Sequence, residues 1–429
     1  MTEQRDPAEA FVDLAGRHER MFWLDGGGSR AWSGRRSILG ALRDEDVSLT
    51  YDASAAAVTR HANGRTDVVG DDIFTVLREE VARDHGDASV SWVGYLGYAC
   101  RPDLPAAPDP NGAPDAVWMR VRDPLVIEHS VLGPADGRED PGPASQQKQA
   151  PDDYAEAFAE VQRELHAGNS YEVNLTYRER IDSDVDPVAA YLHLRQLNPA
   201  PYAGFLKHGD TCLLSSSPER YATVTRDRFL ETKPIKGTTQ RGTTPEEDAA
   251  LAERLASDPK FRAENLMIVD LLRNDLSMVC EPGTVEVPSL MAVESYATVH
   301  QLVSTVRGRL RDGVGTVDAL RALFPAGSMT GAPKLRTMQI IERVESSPRG
   351  VYSGAFGWIG GDGRADLGVV IRSLVAVRAG RPGSRADGPP YTYTLGTGGG
   401  ITVRSDLQEE WAETRWKADR LRAALNPVN

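Results

Sequence analysis

The strand-like runs of this chain do not alternate with helices, and that order limits the fold more than any other feature. TCLLSSS (211–217) is followed almost at once by YATVTRD (221–227), and LGVVIRSLVAV (367–377) reaches YTYTLGT (391–397) through the loop RAGRPGSRADGPP. Without the βαβ units of a parallel sheet, the order predicts an α+β fold with large, mostly antiparallel sheets. Helical stretches stand apart from these runs. YAEAFAEVQRELHAG (154–168) repeats apolar positions at helical spacing and stops at glycine. Within 244–281, Leu266, Val269, Leu272 and Leu276 recur at steps of three and four. A closing helix over roughly 406–425 carries Leu407, Trp411, Ala418, Leu421 and Leu425. In SWVGYLGYAC (91–100), aromatics alternating with glycine predict a buried strand held close to another backbone. Residues 132–152, LGPADGREDPGPASQQKQAPD, carry almost no large apolar groups and read as a flexible linker. That linker separates an N-terminal region, 1–131, expected to pack on the core, from a main domain over 153–429.

Composition excludes several classes of function. The chain has 429 residues, a formal net charge of -13 and three cysteines, Cys100, Cys212 and Cys280, far apart in sequence. Such an acidic chain is a poor fit to nucleic acid, whose partners display basic surfaces. No apolar run approaches the ~20 residues of a bilayer span, and MTEQRDPAEAF at the start is too polar for a signal peptide. An odd, scattered set of cysteines argues against a disulfide framework and for a reducing, cytoplasmic setting. The expected ligand is a small molecule.

Three segments hold candidate chemistry, and each has a plain alternative. In KPIKGTTQRG (233–242), Lys236 sits where a strand tightens into glycine; it either projects into a cleft or is a surface lysine in a turn. GTGGGI (396–401) offers backbone N–H groups free of side chains, a cradle for a carboxylate or simply a turn. It lacks the spacing of a dinucleotide fingerprint. Glu410 and Glu413 share a helix face, and Glu264 belongs to an earlier helix. Paired carboxylates suit magnesium, or form a solvated acidic face.

Taken together, the segments resemble the chorismate-utilising enzymes, which include component I of anthranilate synthase, component I of aminodeoxychorismate synthase and the isochorismate synthases. SSSPER (215–220), KPIKGT (233–238), RAENLMIVDLLRNDL (262–276), TVHQLVSTVRG (298–308), FPAGSMTGAPK (324–334), VIRSL (370–374) and GGGI (398–401) carry the resemblance, which runs from about 153 to 425 and continues more weakly through the N-terminal region. It implies large antiparallel sheets packed as a sandwich with surrounding helices, and a chorismate-binding catalytic domain over 153–429. It also implies Mg2+ held by Glu264 and Glu413 with Glu410 close by, and Arg372 pairing a substrate carboxylate. Gly398, Gly399 and Gly400 would supply backbone donors, with Gly237, Thr238, Thr330 and Trp358 lining the site and His300 at or behind it. Glu219 matches the family's general acid.

Lys236 chooses the branch. The anthranilate-forming branch usually has alanine there, leaving ring C2 free for ammonia; the aminodeoxychorismate branch has lysine. An enzyme amine on C2 forces ammonia to C4, so the resemblance implies a covalent lysine adduct and 4-amino-4-deoxychorismate as product. A protonated lysine cannot attack, so its pKa is expected to be lowered by desolvation or by the metal. Glu172 stands where water-using relatives place a lysine base, which argues against isochorismate formation. Gln301, Trp358 and Asp25 depart from the family's usual histidine, tyrosine and serine, the last in a tryptophan-binding pocket. No glutaminase nucleophile is found, so a separate glutamine amidotransferase is expected to supply ammonia, and a separate lyase to turn the product into p-aminobenzoate. Anthranilate synthase component I is the alternative.

Overall fold

The computed structural model describes residues 6–26, 36–110, 112–129, 149–296, 299–379 and 389–426. Most of the expected linker, 132–148, lies outside the described residues, as does 380–388 of the loop before the last strand. Two sheets dominate, and every strand pairing in them is antiparallel. The first runs in the order Gly331–Ala332, Glu172–Ser183, Tyr391–Ile401, Ser373–Arg378, Thr211–Ser217, Tyr202–His208, Arg20–Asp25, Arg36–Ala41, Leu125–Glu128. The second runs Ile235–Gln240, Val299–Arg309, Phe229–Lys233, Arg220–Val224, Ala365–Val369, Ala355–Gly360, Val90–Leu96, Ala116–Arg122, Ser48–Asp52, Ala57–Ala62, Arg65–Gly70, with Glu286–Ser295 also paired to Val299–Arg309.

The sheets face each other through one apolar layer. Phe22, Leu206 and Leu213 of the first meet Val93, Tyr95, Val117, Met119 and Phe356 of the second. Helices cover the outer faces, as the two-layer logic of half-apolar sheets demands. Pro7–Arg17, Pro187–Leu197 and Leu407–Ala423 bury Phe11, Tyr191, Leu194, Ala418 and Leu421 against the first sheet. Ile73–Arg83, Pro259–Ser277 and Thr316–Leu323 bury Phe74, Leu77, Ile268, Leu272 and Leu320 against the second. Each buried Phe, Leu or Ile among them contributes about 1.5–3 kcal/mol by leaving water.

The N-terminal region is woven into both layers: Arg20–Asp25 pairs with Tyr202–His208, and Val90–Leu96 pairs with Ala355–Gly360. Within Val90–Leu96, a Cβ on Gly94 would lie 2.0 Å from the Val117 carbonyl, so the glycine is what lets the neighbouring backbone approach.

Two expectations need correction. The helical stretch 244–281 is two helices, Pro245–Ser257 and Pro259–Ser277, broken at Asp258. The Asp258 carboxylate accepts from the N–H groups of Lys260 (2.8 Å) and Phe261 (3.2 Å), with proline at the first helical position, a strong restart signal. Leu266 is 55% exposed, because the buried face also includes Glu264 and Asn265, polar positions that an apolar-spacing count passes over.

Candidate active site

One cavity of about 450 Å³ opens where the two sheets and two helices converge. LGVVIRSLVAV supplies the first wall by crossing between layers: Ala365–Val369 belongs to the second sheet and Ser373–Arg378 to the first. Arg372 sits in this crossing at φ 51°, a strained setting for a residue with a Cβ. Its carbonyl is pinned by Ser216, whose N–H and Oγ–H donate at 3.2 and 3.0 Å. The guanidinium lies over the Trp416 ring at 5.1 Å, and burial pushes its pKa down to about 10.

The glycine segment is the end of a long strand, Tyr391–Ile401, and is not a turn. Pairing with Ser373–Arg378 stops at Leu395, whereas pairing with Glu172–Ser183 continues through Ile401. One edge of 396–400 therefore faces the cavity instead of another strand. The Gly398 carbonyl on that edge accepts from Lys417 Nζ at 2.9 Å.

Lys236 comes from the strand Ile235–Gln240, its side chain buried at the cavity wall and hydrogen-bonded to Glu172 Oε1. Glycine at 400 makes room for this pair: an added Cβ would stand 2.1 Å from Glu172 Oε1 and 3.3 Å from Lys236 Nζ. Burial alone would lower the Lys236 pKa, but the charges of Glu172, Glu264 and Glu219 outweigh it and the net shift is upward. Desolvation alone thus does not lower the lysine pKa as one arm of the expectation had it; the neighbouring carboxylates favour the charged ammonium. Glu219 also lines the cavity, and burial pushes its carboxyl up to about 7, with Lys236 and a hydrogen bond from Ser328 pulling the other way.

Glu264, Glu410 and Glu413 line the same cavity. Burial raises Glu264 to about 7, and its Oε1 is buried without a hydrogen-bond partner. Glu410 accepts from Lys260 Nζ at 2.9 Å and Ser405 Oγ at 2.7 Å. Glu413 pairs with Lys417 at 2.7 Å, and that cation holds its pKa down. As the side chains stand, no three acidic, thiol or imidazole groups among the described residues converge as a metal cage. The donor chemistry still fits a hard divalent cation: three carboxylates on one cavity, one with an orphaned buried oxygen.

Gly237, Thr238 and Gln301 also line the cavity. Three expected residues do not. Trp358 lies in Ala355–Gly360 beside the inter-sheet core, 5.8 Å from the Arg364 guanidinium, because strand alternation turns it to that layer along with Phe356. Thr330 is fully buried behind the cavity; its hydroxyl donates to the Gly327 carbonyl (3.2 Å) and its own carbonyl accepts from Asn174 N–H (2.9 Å). His300 is buried between Ser295 Oγ (2.7 Å) and Asp248 Oδ1 (2.9 Å), tying the strand to the helix Pro245–Ser257. At the Asp25 departure, the carboxylate is buried against Arg195 Nε at 2.7 Å and the Tyr191 hydroxyl at 3.3 Å.

Sequence reasoning missed Lys260, Lys417, Trp416, Tyr352 and Asn174, all on the cavity wall. The two lysines had a signal: each lies four residues from a candidate carboxylate on the same helix, Lys260 before Glu264 and Lys417 after Glu413.

Residues 41–423 match the family model of the chorismate binding enzyme. The chain is 39% identical to the aminodeoxychorismate synthase of Streptomyces griseus, over 98% of this chain and 63% of that protein. It is 38% identical to the protein of the same name from Streptomyces pristinaespiralis, over 99% of this chain and 64% of that one. The chain thus spans slightly less than two thirds of the length of these curated relatives. Its fold superposes on anthranilate synthase component I from Streptococcus pneumoniae with TM-score 0.73 and 25% identity, covering 98% of each chain. With the motifs gathered on one cavity and the match spanning both sheets, the chain belongs to the chorismate binding enzyme family.

Proposed function

We propose that this chain aminates chorismate, working as component I of an aminodeoxychorismate synthase. The observation that carries this reading is the primary amine of Lys236 on the cavity wall, hydrogen-bonded to Glu172, with the Glu219 carboxyl lining the same cavity. In the proposed reaction, the Lys236 nitrogen bonds to ring C2, the double bond shifts, and the C4–O bond breaks. Glu219 gives its proton to the departing hydroxyl, which leaves as water. Ammonia then bonds to C4, the double bond shifts back, and the C2–N bond breaks, releasing lysine. The new ammonium returns a proton to Glu219, and 4-amino-4-deoxychorismate leaves. Arg372 and the open edge of Gly398–Gly400 are suited to the substrate carboxylates by charge and by backbone N–H donors.

Glu264 and Glu413 would hold Mg2+, with Glu410 beside them. When bound, the cation supplies Lewis-acid charge withdrawal from a substrate carboxylate. Glu413→Gln removes one charged donor and is expected to raise the magnesium needed for half-maximal activity by roughly tenfold or more. An unchanged requirement removes Glu413 from the ligand set.

The proton on Glu219 sets a pH dependence. Its carboxyl, raised to about 7 by burial, is charged above that pH, so the rate of adduct formation should fall about tenfold per unit there. Stability moves in the same direction: a carboxyl raised from 4.5 stabilises the fold fully below 4.5, and that contribution is lost as pH rises through about 7. A rate profile flat from pH 7 to 9 would exclude Glu219 as the acid.

Ammonia would come from a glutamine amidotransferase partner, and a separate lyase would release p-aminobenzoate. Among the described residues no helix is long and apolar enough to cross a membrane. A cytoplasmic setting, proposed here, agrees with three buried free cysteines. The alternative, anthranilate formation, draws on the full-length likeness to an anthranilate synthase component I. Incubating the protein with chorismate, ammonium and magnesium separates the two. Aminodeoxychorismate supports the proposal, and fluorescent anthranilate as the main product refutes it.

A further inference from the structure

An ammonium ion has no lone pair, so Lys236 must lose a proton before it can act as a nucleophile, yet its surroundings favour the charged form. Among the described residues, Glu172 is the carboxylate within ion-pair distance of Lys236 Nζ; Glu264 and Glu219 act on it only through charge. Glu172 opens the strand Glu172–Ser183 and is 1% exposed. Its backbone is fixed by Ser170, whose hydroxyl donates to the Glu172 carbonyl at 2.8 Å. One carboxylate oxygen takes the lysine hydrogen bond, and the other, Oε2, is buried with no hydrogen-bond partner. Among the described residues no arginine is ion-paired to Glu172, in contrast to Glu345, which is paired with both Arg178 and Arg349. One carboxylate oxygen on the ammonium and a second without a partner set a proton acceptor directly beside the amine.

We propose that Glu172 is the proton acceptor that frees the Lys236 amine for attack and returns the proton when the lysine is expelled. This rests on the reading of Lys236 as nucleophile. The transfer balances: the Lys236 ammonium and Glu172 carboxylate become a neutral amine and a carboxylic acid. The amine nitrogen forms the bond to C2 while Glu219 protonates the leaving hydroxyl. When the C2–N bond breaks, lysine departs as a neutral amine with the bond's electron pair, and Glu172 gives its proton back. The pair is restored and no outside acid or base is consumed.

Glu172→Gln keeps the shape and the contact but cannot take the proton. Adduct formation with chorismate, followed by rapid quench and intact-protein mass, is expected to slow by at least ~100-fold at pH 7. Only the free amine fraction of lysine then reacts, so the deficit against wild type should close about tenfold for each unit of rising pH. Chorismate affinity, measured by calorimetry, should change no more than a few fold. A Gln variant forming adduct within twofold of wild type, or with a deficit that does not change with pH, overturns the role. Should the Gln variant fail to fold, Glu172→Asp carries the test. It is expected to form adduct more slowly with the wild-type pH profile, and a deficit that closes with rising pH overturns the proposal. Wild-type protein that forms neither adduct nor aminated product refutes the parent reading instead. Wild-type turnover with an unaffected Gln variant refutes only the assignment of Glu172.

Discussion

Lys236→Ala is expected, on the proposed lysine-adduct mechanism, to lower production of 4-amino-4-deoxychorismate by on the order of 10³-fold or more, since the first of its two displacements has no nucleophile left. Chorismate binding should survive, because Arg372 and the glycine edge are untouched. Intact mass after incubation with chorismate should show an adduct on wild type and none on the variant. An adduct of equal mass on the alanine protein would show that another group reacts. The substitution has a structural side effect. It strands the Glu172 carboxylate, 1% exposed, without its cation, and breaking a buried pair from one side costs about 3–5 kcal/mol. The double variant Lys236→Ala/Glu172→Gln removes that stranded charge. If it is as stable as wild type and equally inactive, the loss belongs to chemistry and not to folding.

Glu345→Ala should also carry a large stability cost. This carboxylate follows the helix Lys334–Val344 and its side chain is only 3% exposed, accepting from Arg178 Nη2 at 2.9 Å, Arg349 Nη2 at 2.7 Å and Thr176 N–H at 2.9 Å. The two guanidiniums are 5% and 2% exposed, so alanine leaves two cations in the interior. A loss of about 3–5 kcal/mol is expected from equilibrium denaturation. Activity should fall as well. Arg349 also donates to the carbonyls of Met329 (2.6 Å) and Asn174 (2.8 Å), both on the cavity wall, and Glu345 is what holds that guanidinium in place. A loss below about 1 kcal/mol would mean that water reaches the arginines.

Those internal pairs mark the boundary of what the sequence discloses. The antiparallel, non-alternating arrangement was readable because strand-like runs arrive in succession, and Thr211–Ser217 appears where TCLLSSS predicts it. Lys236, Glu219, Arg372 and the three carboxylates share one cavity because long motifs carry them there intact. LGVVIRSLVAV, by contrast, reads as one strand and forms two in different sheets, since the break at Arg372 has no glycine or proline to announce it. Trp358 fell on the wrong side because a motif places a residue along a strand but does not say which face it takes. The upward shift of the Lys236 pKa was illegible for a similar reason. Glu172 and Lys236 are far apart in sequence and meet only because Glu172–Ser183 lies beside the glycine-ended strand.

The passage of the chain from one layer to the other at Arg372 has a mechanical consequence. The guanidinium hangs from a hinge anchored at both ends, in Ala365–Val369 on one side and Ser373–Arg378 on the other. Its reach therefore depends on how far apart the two slabs stand, a spacing fixed by side chains such as Phe356 and Leu213 that do not line the cavity. Selection on those remote fillers is also selection on the grip of the pocket.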